Sequence, residues 1–260
     1  MTPDDILDQV AARLIAARRR REPISPVRDQ LSAGRMSAAY AVQRRIVSLH
    51  QRDGAKAVGY KIGATTPAAQ KAMEIGHPTL GVLLDTMARP AEAVIDLGAF
   101  ITPRIEGEIA FLIGEDVMGG TPDAASVAAR VRGIAPALEI VDSAIVDWNL
   151  DVVDAVADNG CAAGFVLGPW QAFDSVADLA SVNMVLTRDG VSMSVGTGAA
   201  CRGGPLAALV WLAAEAIRVG HPLRAGELIL AGALGPMTPF GAGDWRLSID
   251  GFPPLRATAS

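Results

Sequence analysis

Cysteine is scarce: two in 260 residues, Cys161 and Cys201, too far apart for a disulfide scaffold and without the CxxC spacing of a zinc knuckle. Both are expected to pack as small apolar residues in a reducing compartment. Histidine is also sparse. His50, His77 and His221 stand alone, with no HxH or HExxH spacing for a soft cation. Positive charge is not in excess, since the formal net charge is -5, and no nucleic-acid partner is expected. The one basic block, Arg18 to Arg21, reads as the solvated end of a helix. The most apolar helix candidate, PLAALVWLAAEAIRVG at 205–220, falls short of the roughly 20 residues that cross a bilayer and contains Glu215. A basic signal-peptide start is missing too, because MTPDDILDQV is acidic. These absences describe a soluble, cytoplasmic protein with no membrane partner.

What is present is a large core-forming fraction, 50% hydrophobic against 20% charged. The first 54 residues carry helical periodicity. Thr2 or Pro3 opens a helix with Ile6, Val10, Leu14 and Ala17 on one stripe, and a second helix starts at an N-cap, Ser37, and stops at Gly54. Thr66-Pro67 opens a short third helix. From residue 81 onward, short apolar runs alternate with Gly, Pro and Asp. They imply a sheet core with helices near 121–132 and 205–219 and a hairpin turn at TRDGV. The boundary falls near residue 55, giving a helical region at 1–55 and a β-rich body at 56–260.

The chemistry concentrates in ITPRIEGEIAFLIG, 101–114. Strand alternation puts Ile105, Gly107, Ile109 and Phe111 on one face and Arg104, Glu106, Glu108 and Ala110 on the other. Two neighbouring carboxylates repel and lose hydration on a covered face, so either that face is wet or something positive sits between them. Glu139, between Leu138 and Ile140 in PALEIVDS, is a third acid embedded in an apolar strand. Three carboxylates suit a hard divalent cation, which takes oxygen ligands and keeps waters or substrate oxygens. Outward glutamates on a half-exposed strand fit the same pattern. Lys61, in VGYKIGATT, is either a desolvated amine with a lowered pKa, able to move protons near neutrality, or a lysine snorkelling from an edge strand. GTGAACRGGP at 196–205 lacks the phosphate-loop spacing, and GALGPMTPFGAGD at 232–244 is a tightly turned or mobile segment; both are candidate pocket linings. Asp142, Asp147, Asp151, Asp154 and Asp158 surround a helix and are expected to be mostly solvated or capping.

VGYKIGAT (58–65), PRIEGEIAFLIG (103–114), PALEIVDSAIVDW (136–148), VVDAVADNGCAAGFVLG (152–168) and GELILAGALGPMTP (226–239) occur in one order. Together they resemble the 2-keto-4-pentenoate hydratase / 4-oxalocrotonate decarboxylase family, a branch of the fumarylacetoacetase C-terminal-domain superfamily. The resemblance runs from about residue 35 to residue 260. It implies an α+β fold, a β-rich roll of mixed sheets with a small helical N-terminal region, in a homo-oligomer. It implies that Glu106, Glu108 and Glu139 bind Mg²⁺ or Mn²⁺ and that Lys61 is a catalytic acid/base. Thr79, Leu80, Gly81 and Arg104 would contact a small 2-oxo acid substrate.

The implied activity is a hydro-lyase reaction in the catabolism of aromatic or related compounds. Water adds to a 2-hydroxy-2,4-dienoate, or its 2-oxo tautomer, to give a 4-hydroxy-2-oxo acid. Three departures from the family pattern stand out. HPTLGVL (77–83) has Thr79 and Leu80 where hydratases read Asp-Phe, Ala144 replaces an arginine, and Asn159-Gly160-Cys161 stands where small Ser or Ala residues are usual. Thr79 cannot be a carboxylate that assists water addition. A 2-oxo acid decarboxylase on the same metal site therefore stays open. So does a catalytically weakened paralogue that supports an oligomer or a partner enzyme of the same pathway.

Overall fold

A computed structural model describes residues 2–31, 35–92, 94–176 and 178–260. Helix α1 (Pro3–Arg20) starts where expected: the Asp5 amide donates to Thr2 Oγ1 at 3.2 Å, and the Thr2 amide donates back to Asp5 Oδ2 at 2.7 Å. Helix α2 (Arg35–Arg52) begins two residues before the expected cap, so Ser37 lies inside its first turn. The others are α3 (Pro67–Ala72), capped by Thr66, then α4 (Ala124–Ala128), α5 (Val152–Ala157) and α6 (Pro205–Arg218). The apolar faces of α1, α2 and α5 are buried only by meeting: Val10, Leu14, Val42, Ile46, Val153 and Val156 form one cluster.

The strands, in chain order, are β1 (Ala57–Gly63), β2 (Thr79–Leu84), β3 (Ala88–Arg89), β4 (Val94–Ile95), β5 (Arg104–Ile113), β6 (Val131–Val141) and β7 (Ala162–Leu167). They continue with β8 (Asn183–Arg188), β9 (Val191–Thr197), β10 (Leu228–Leu230), β11 (Thr238–Pro239), β12 (Gly243–Ile249) and β13 (Leu255–Ala259). An eight-stranded mixed sheet runs β2-β1-β10-β5-β6-β7-β3, with β11 added to β5, and a five-stranded sheet runs β4-β13-β12-β8-β9. The β8–β9 hairpin turns through Asp189 and Gly190, at φ 50° and 80°, the left-handed pair that matches strand twist. Ile105, Ile109 and Phe111 of β5 face Met184, Leu247 and the inner side of α6 in the main core. The fold is the expected α+β roll of mixed sheets.

Two expectations need correction. Joined to the turn before it, α6 belongs to a 21-residue helical stretch, Gly198–Arg218, which is long and apolar enough to cross a membrane by length and composition. Its Ala208, Leu209, Leu212 and Ala213 nonetheless lie within the β core, where each leucine contributes about 1.5–3 kcal/mol. Asp142, Asp154 and Asp158 are buried rather than solvated, and Arg18 is turned inward to meet two of them. Arg18 donates to both Asp158 oxygens at 2.8 Å and to the Asp142 carbonyl at 2.6 Å. Asp142 accepts the Ile101 and Thr102 amides, each at 2.8 Å. Asp154 accepts the Val27 and Arg28 amides and pairs with the Arg28 guanidinium at 2.6 Å. Burial of these acids is possible because each finds donors far away in the chain. Asp151 does cap α5, as expected, and Asp147 is exposed.

Candidate metal centre and active-site cavity

The antiparallel register of β5 and β6 sets Glu106 directly opposite Glu139, with Glu108 two residues along the same face. One carboxylate oxygen from each of the three lies within 4.8 Å of the other two. Glu108 and Glu139 are buried, and Glu106 is half-buried at the rim. The Gly232 amide, just past the end of β10, donates to Glu108 Oε2 at 2.8 Å. Glu108 Oε1 and both Glu139 oxygens are buried without a hydrogen-bond donor. Lys61, on β1, brings Nζ to 3.2 Å from Glu139 Oε1 on β6. That separation makes an ion pair, but the two groups are not aligned as a hydrogen bond.

Electrostatics show what the cluster lacks. Burial, then the Glu139 charge, pushes Glu106 up to about 7, while Lys61 and Arg104 oppose the rise. Burial, then Glu139 and Glu106, drives Glu108 well above the carboxylate range. Burial lowers the Lys61 pKa, but Glu139, Glu106 and Glu108 outweigh it and the net direction is upward. Lys61 is thus buried and held protonated, neither the snorkelling lysine nor the amine with a lowered pKa of the sequence reading. Three carboxylates against one ammonium leave two negative charges unbalanced, which is the charge of one divalent cation. The orphaned oxygens and the all-oxygen donor set fit a hard ion of this kind.

Above the acids opens a cavity of about 740 Å³ whose wall includes Lys61, Thr79, Arg104, Glu106, Trp148 and Cys161. Ala200 and the segment Ala233 to Met237 contribute as well, so both glycine-rich loops reach it. A second hollow of about 770 Å³ lies across β12 and β13, away from the buried acids. Size therefore does not mark the site; the uncompensated charge does.

The structure brings Lys61, Glu106, Glu108 and Glu139 together, with Thr79 and Arg104 in the wall beside them. Leu80 sits elsewhere: its side chain packs on the main core and its carbonyl accepts from Gln43 Nε2 at 2.9 Å. Gly81 lies under the Lys61 stem rather than in the wall. Ala144 is buried in the helical cluster, donating its amide to Asp158, and does not line the cavity. Trp148 was missed by the sequence reading. It stands under the Arg104 guanidinium at 4.2 Å and donates Nε1–H to the Thr102 carbonyl and hydroxyl. No short-range pattern announces that pair, which joins residues 44 apart. Cys161 lies in the wall, and burial pushes its thiol up to about 12.

Residues 60–259 match the fumarylacetoacetate hydrolase C-terminal family model. The chain is 38% identical over its whole length to a 2-keto-4-pentenoate hydratase of Paraburkholderia phymatum, all of which is covered. It is 42% identical to one of Paraburkholderia xenovorans, over 94% of this chain and 90% of that one. Among solved structures, it superposes on 4-oxalocrotonate decarboxylase from Pseudomonas putida G7, complexed with magnesium and adipate, with a TM-score of 0.95. That match has 27% identity and covers 100% of this chain and 99% of the other.

Proposed function

We propose, from the premise that this chain belongs to the fumarylacetoacetate hydrolase C-terminal family, that it is a divalent-metal-dependent hydratase. Its substrate would be a 2-hydroxy-2,4-dienoate or the 2-oxo tautomer, and its product a 4-hydroxy-2-oxo acid formed during catabolism of aromatic or related compounds. Full-length identity near 40% to 2-keto-4-pentenoate hydratases supports the reaction class. The single observation that carries the site is the set of orphaned oxygens on Glu108 and Glu139, facing Glu106 and the Lys61 ammonium.

Glu106, Glu108 and Glu139 would hold Mg²⁺ or Mn²⁺, which when bound supplies Lewis-acid stabilisation of negative charge at a 2-oxo acid. The protein's own part is proton management. Lys61 holds a proton at Nζ beside the floor of the cavity, where it can be delivered to C5 of the dienol while the 2-hydroxyl gives up its own proton to solvent, leaving an α,β-unsaturated ketone. Conjugate addition of water at C4 then needs a base, and the same amine, having given up its proton, can take one from the water, return it to C3 to complete the 4-hydroxy-2-oxo acid, and be reprotonated from solvent. Thr79 offers a hydroxyl where a carboxylate would otherwise assist, which leaves Lys61 as the principal proton carrier. Arg104, braced on Trp148, is the cation in the wall suited to a substrate carboxylate or carbonyl.

A decarboxylase is the second reading, favoured by the superposition on 4-oxalocrotonate decarboxylase. One assay separates the two. The protein with Mg²⁺ is given 2-hydroxypenta-2,4-dienoate and, separately, 4-oxalocrotonate, while hydrated product and CO₂ are followed. Hydrated product from the dienoate at roughly 1 to 10³ per second is the expected result. CO₂ as the main product would overturn it in favour of the decarboxylase, and no turnover of either would leave a non-catalytic paralogue.

A further inference from the structure

The turn between α5 and β7 is built in an unusual way. Asn159, Gly160 and Cys161 follow one another in the left-handed region, at φ 56°, 64° and 59°, and two of them carry side chains. Strain of this kind persists only where surrounding contacts impose it, and it clusters at functional sites. The contacts here are specific. The Asn159 amide does not satisfy its own backbone; it reaches β2, accepting the Val82 amide at 2.8 Å and donating to the Val82 carbonyl at 2.9 Å. One side chain thus mimics a strand partner for a residue 77 positions away.

Lys61 lies between the joined pieces. A Cβ on Gly81 would sit 3.0 and 3.1 Å from Lys61 Cγ and Cδ, and 2.5 Å from the Asn159 carbonyl oxygen. A Cβ on Gly160 would sit 3.3 Å from Lys61 Cδ and 3.4 Å from the Gly81 Cα. Two bare backbones therefore make a slot along the methylene stem. A stem so confined loses rotamer freedom, and its ammonium points at Glu139.

We infer that Asn159 is a positioning residue for Lys61: its two bonds to Val82 hold the left-handed turn against β2, and the resulting Gly81–Gly160 slot aims the amine into the cluster. The inference rests on the reading of Lys61 as the proton carrier. It adds a reason for the asparagine and for both glycines that helix and strand geometry do not supply.

The test uses the full chain with Mg²⁺ and the variants Asn159→Ala and Gly160→Ala. The first removes both bonds; the second keeps them and puts a methyl against the lysine stem. Each is expected to lower kcat about 10–100-fold, the cost of a misplaced reacting group. KM and Mn²⁺ affinity, measured by calorimetry, should stay within about threefold of wild type. A residue that only held the fold together would move cation affinity and KM along with kcat. Crystal structures supply a readout independent of turnover: in Asn159→Ala, Lys61 Nζ should leave Glu139 by more than about 4 Å, the limit of an ion pair. Wild-type kcat in both variants, or Lys61 unmoved in the Asn159→Ala crystal, overturns the inference. If the wild-type protein turns over neither dienoate nor keto acid, the functional reading fails and the crystallographic comparison still decides this one. Should Asn159→Ala not fold, Gly160→Ala decides by the same kinetic split and by the same displacement of Nζ.

Discussion

Two trios of embedded acids, one of them reaching to within three residues of the other along the chain, are treated in opposite ways. Asp142, Asp154 and Asp158 are buried, yet each is met by backbone amides, and two of them by Arg28 and Arg18. Glu108 and Glu139 are buried just as deeply and receive one amide and one ammonium between them. The first trio ties the helical cluster to the sheet. The second is left short of positive charge. Burial alone therefore separates nothing; what tells a structural acid from a ligand is whether the protein supplies the donors itself.

The sharpest way to break that contrast is to neutralise one acid of each kind. Asp158→Asn strands the Arg18 guanidinium and should cost about 3 kcal/mol of stability, seen as a lowered denaturation midpoint. Glu108→Gln, with the protein kept in chelator, should instead leave stability unchanged or raise it, because one of three repelling charges is removed while the Lys61–Glu139 pair stays intact. It should also abolish cation binding. A loss of stability for Glu108→Gln equal to that for Asp158→Asn would erase the distinction between the trios.

A smaller effect is expected from pH. The folded pKa of Glu106 is raised from 4.5 to about 7, so between those values the folded state holds more protons than the unfolded one. Cation-free protein should therefore lose stability as pH rises from about 4.5 to 7, by a few kcal/mol at most. Saturating Mg²⁺ should cancel that slope and add about 2.7 kcal/mol at a hundredfold excess over its dissociation constant. Melting curves at four pH values, with chelator and with Mg²⁺, test both. A chelated protein that grows more stable across this window would contradict the shift.

The smallest change is expected at the rim. Trp148→Leu removes the support under Arg104 and the bonds to Thr102, and should raise KM about threefold with cation affinity intact. A change in Mn²⁺ affinity of similar size would mean that the rim and the acids are not separable.

Much of this was legible from residue order. Strand alternation put Glu106 and Glu108 on one face, and the apolar flanks of Glu139 marked it as embedded. Thr2, Thr66 and the Asp189-Gly190 turn announced themselves through local chemistry that needs no tertiary context. The aspartates failed for the opposite reason. Arg18 meets Asp158 across 140 positions, and no window of sequence distinguishes a guanidinium with such a partner from three solvated neighbours in the same basic block. Leu80 and Gly81 were placed near the substrate through the motif that contains them, but Leu80 packs its side chain on the main core and Gly81 lies against the Lys61 stem. The Lys61 pKa was misjudged because desolvation can be anticipated from apolar neighbours, whereas three anions arriving from other strands cannot.

The direct opposition of Glu106 and Glu139 also bears on how the chain reaches its fold. Pairing β5 with β6 drives two anions together wherever the rest of the body is not yet in place to compensate them. Protons or a divalent ion would lower that kinetic barrier, so the ion would speed assembly of the sheet before any substrate arrives.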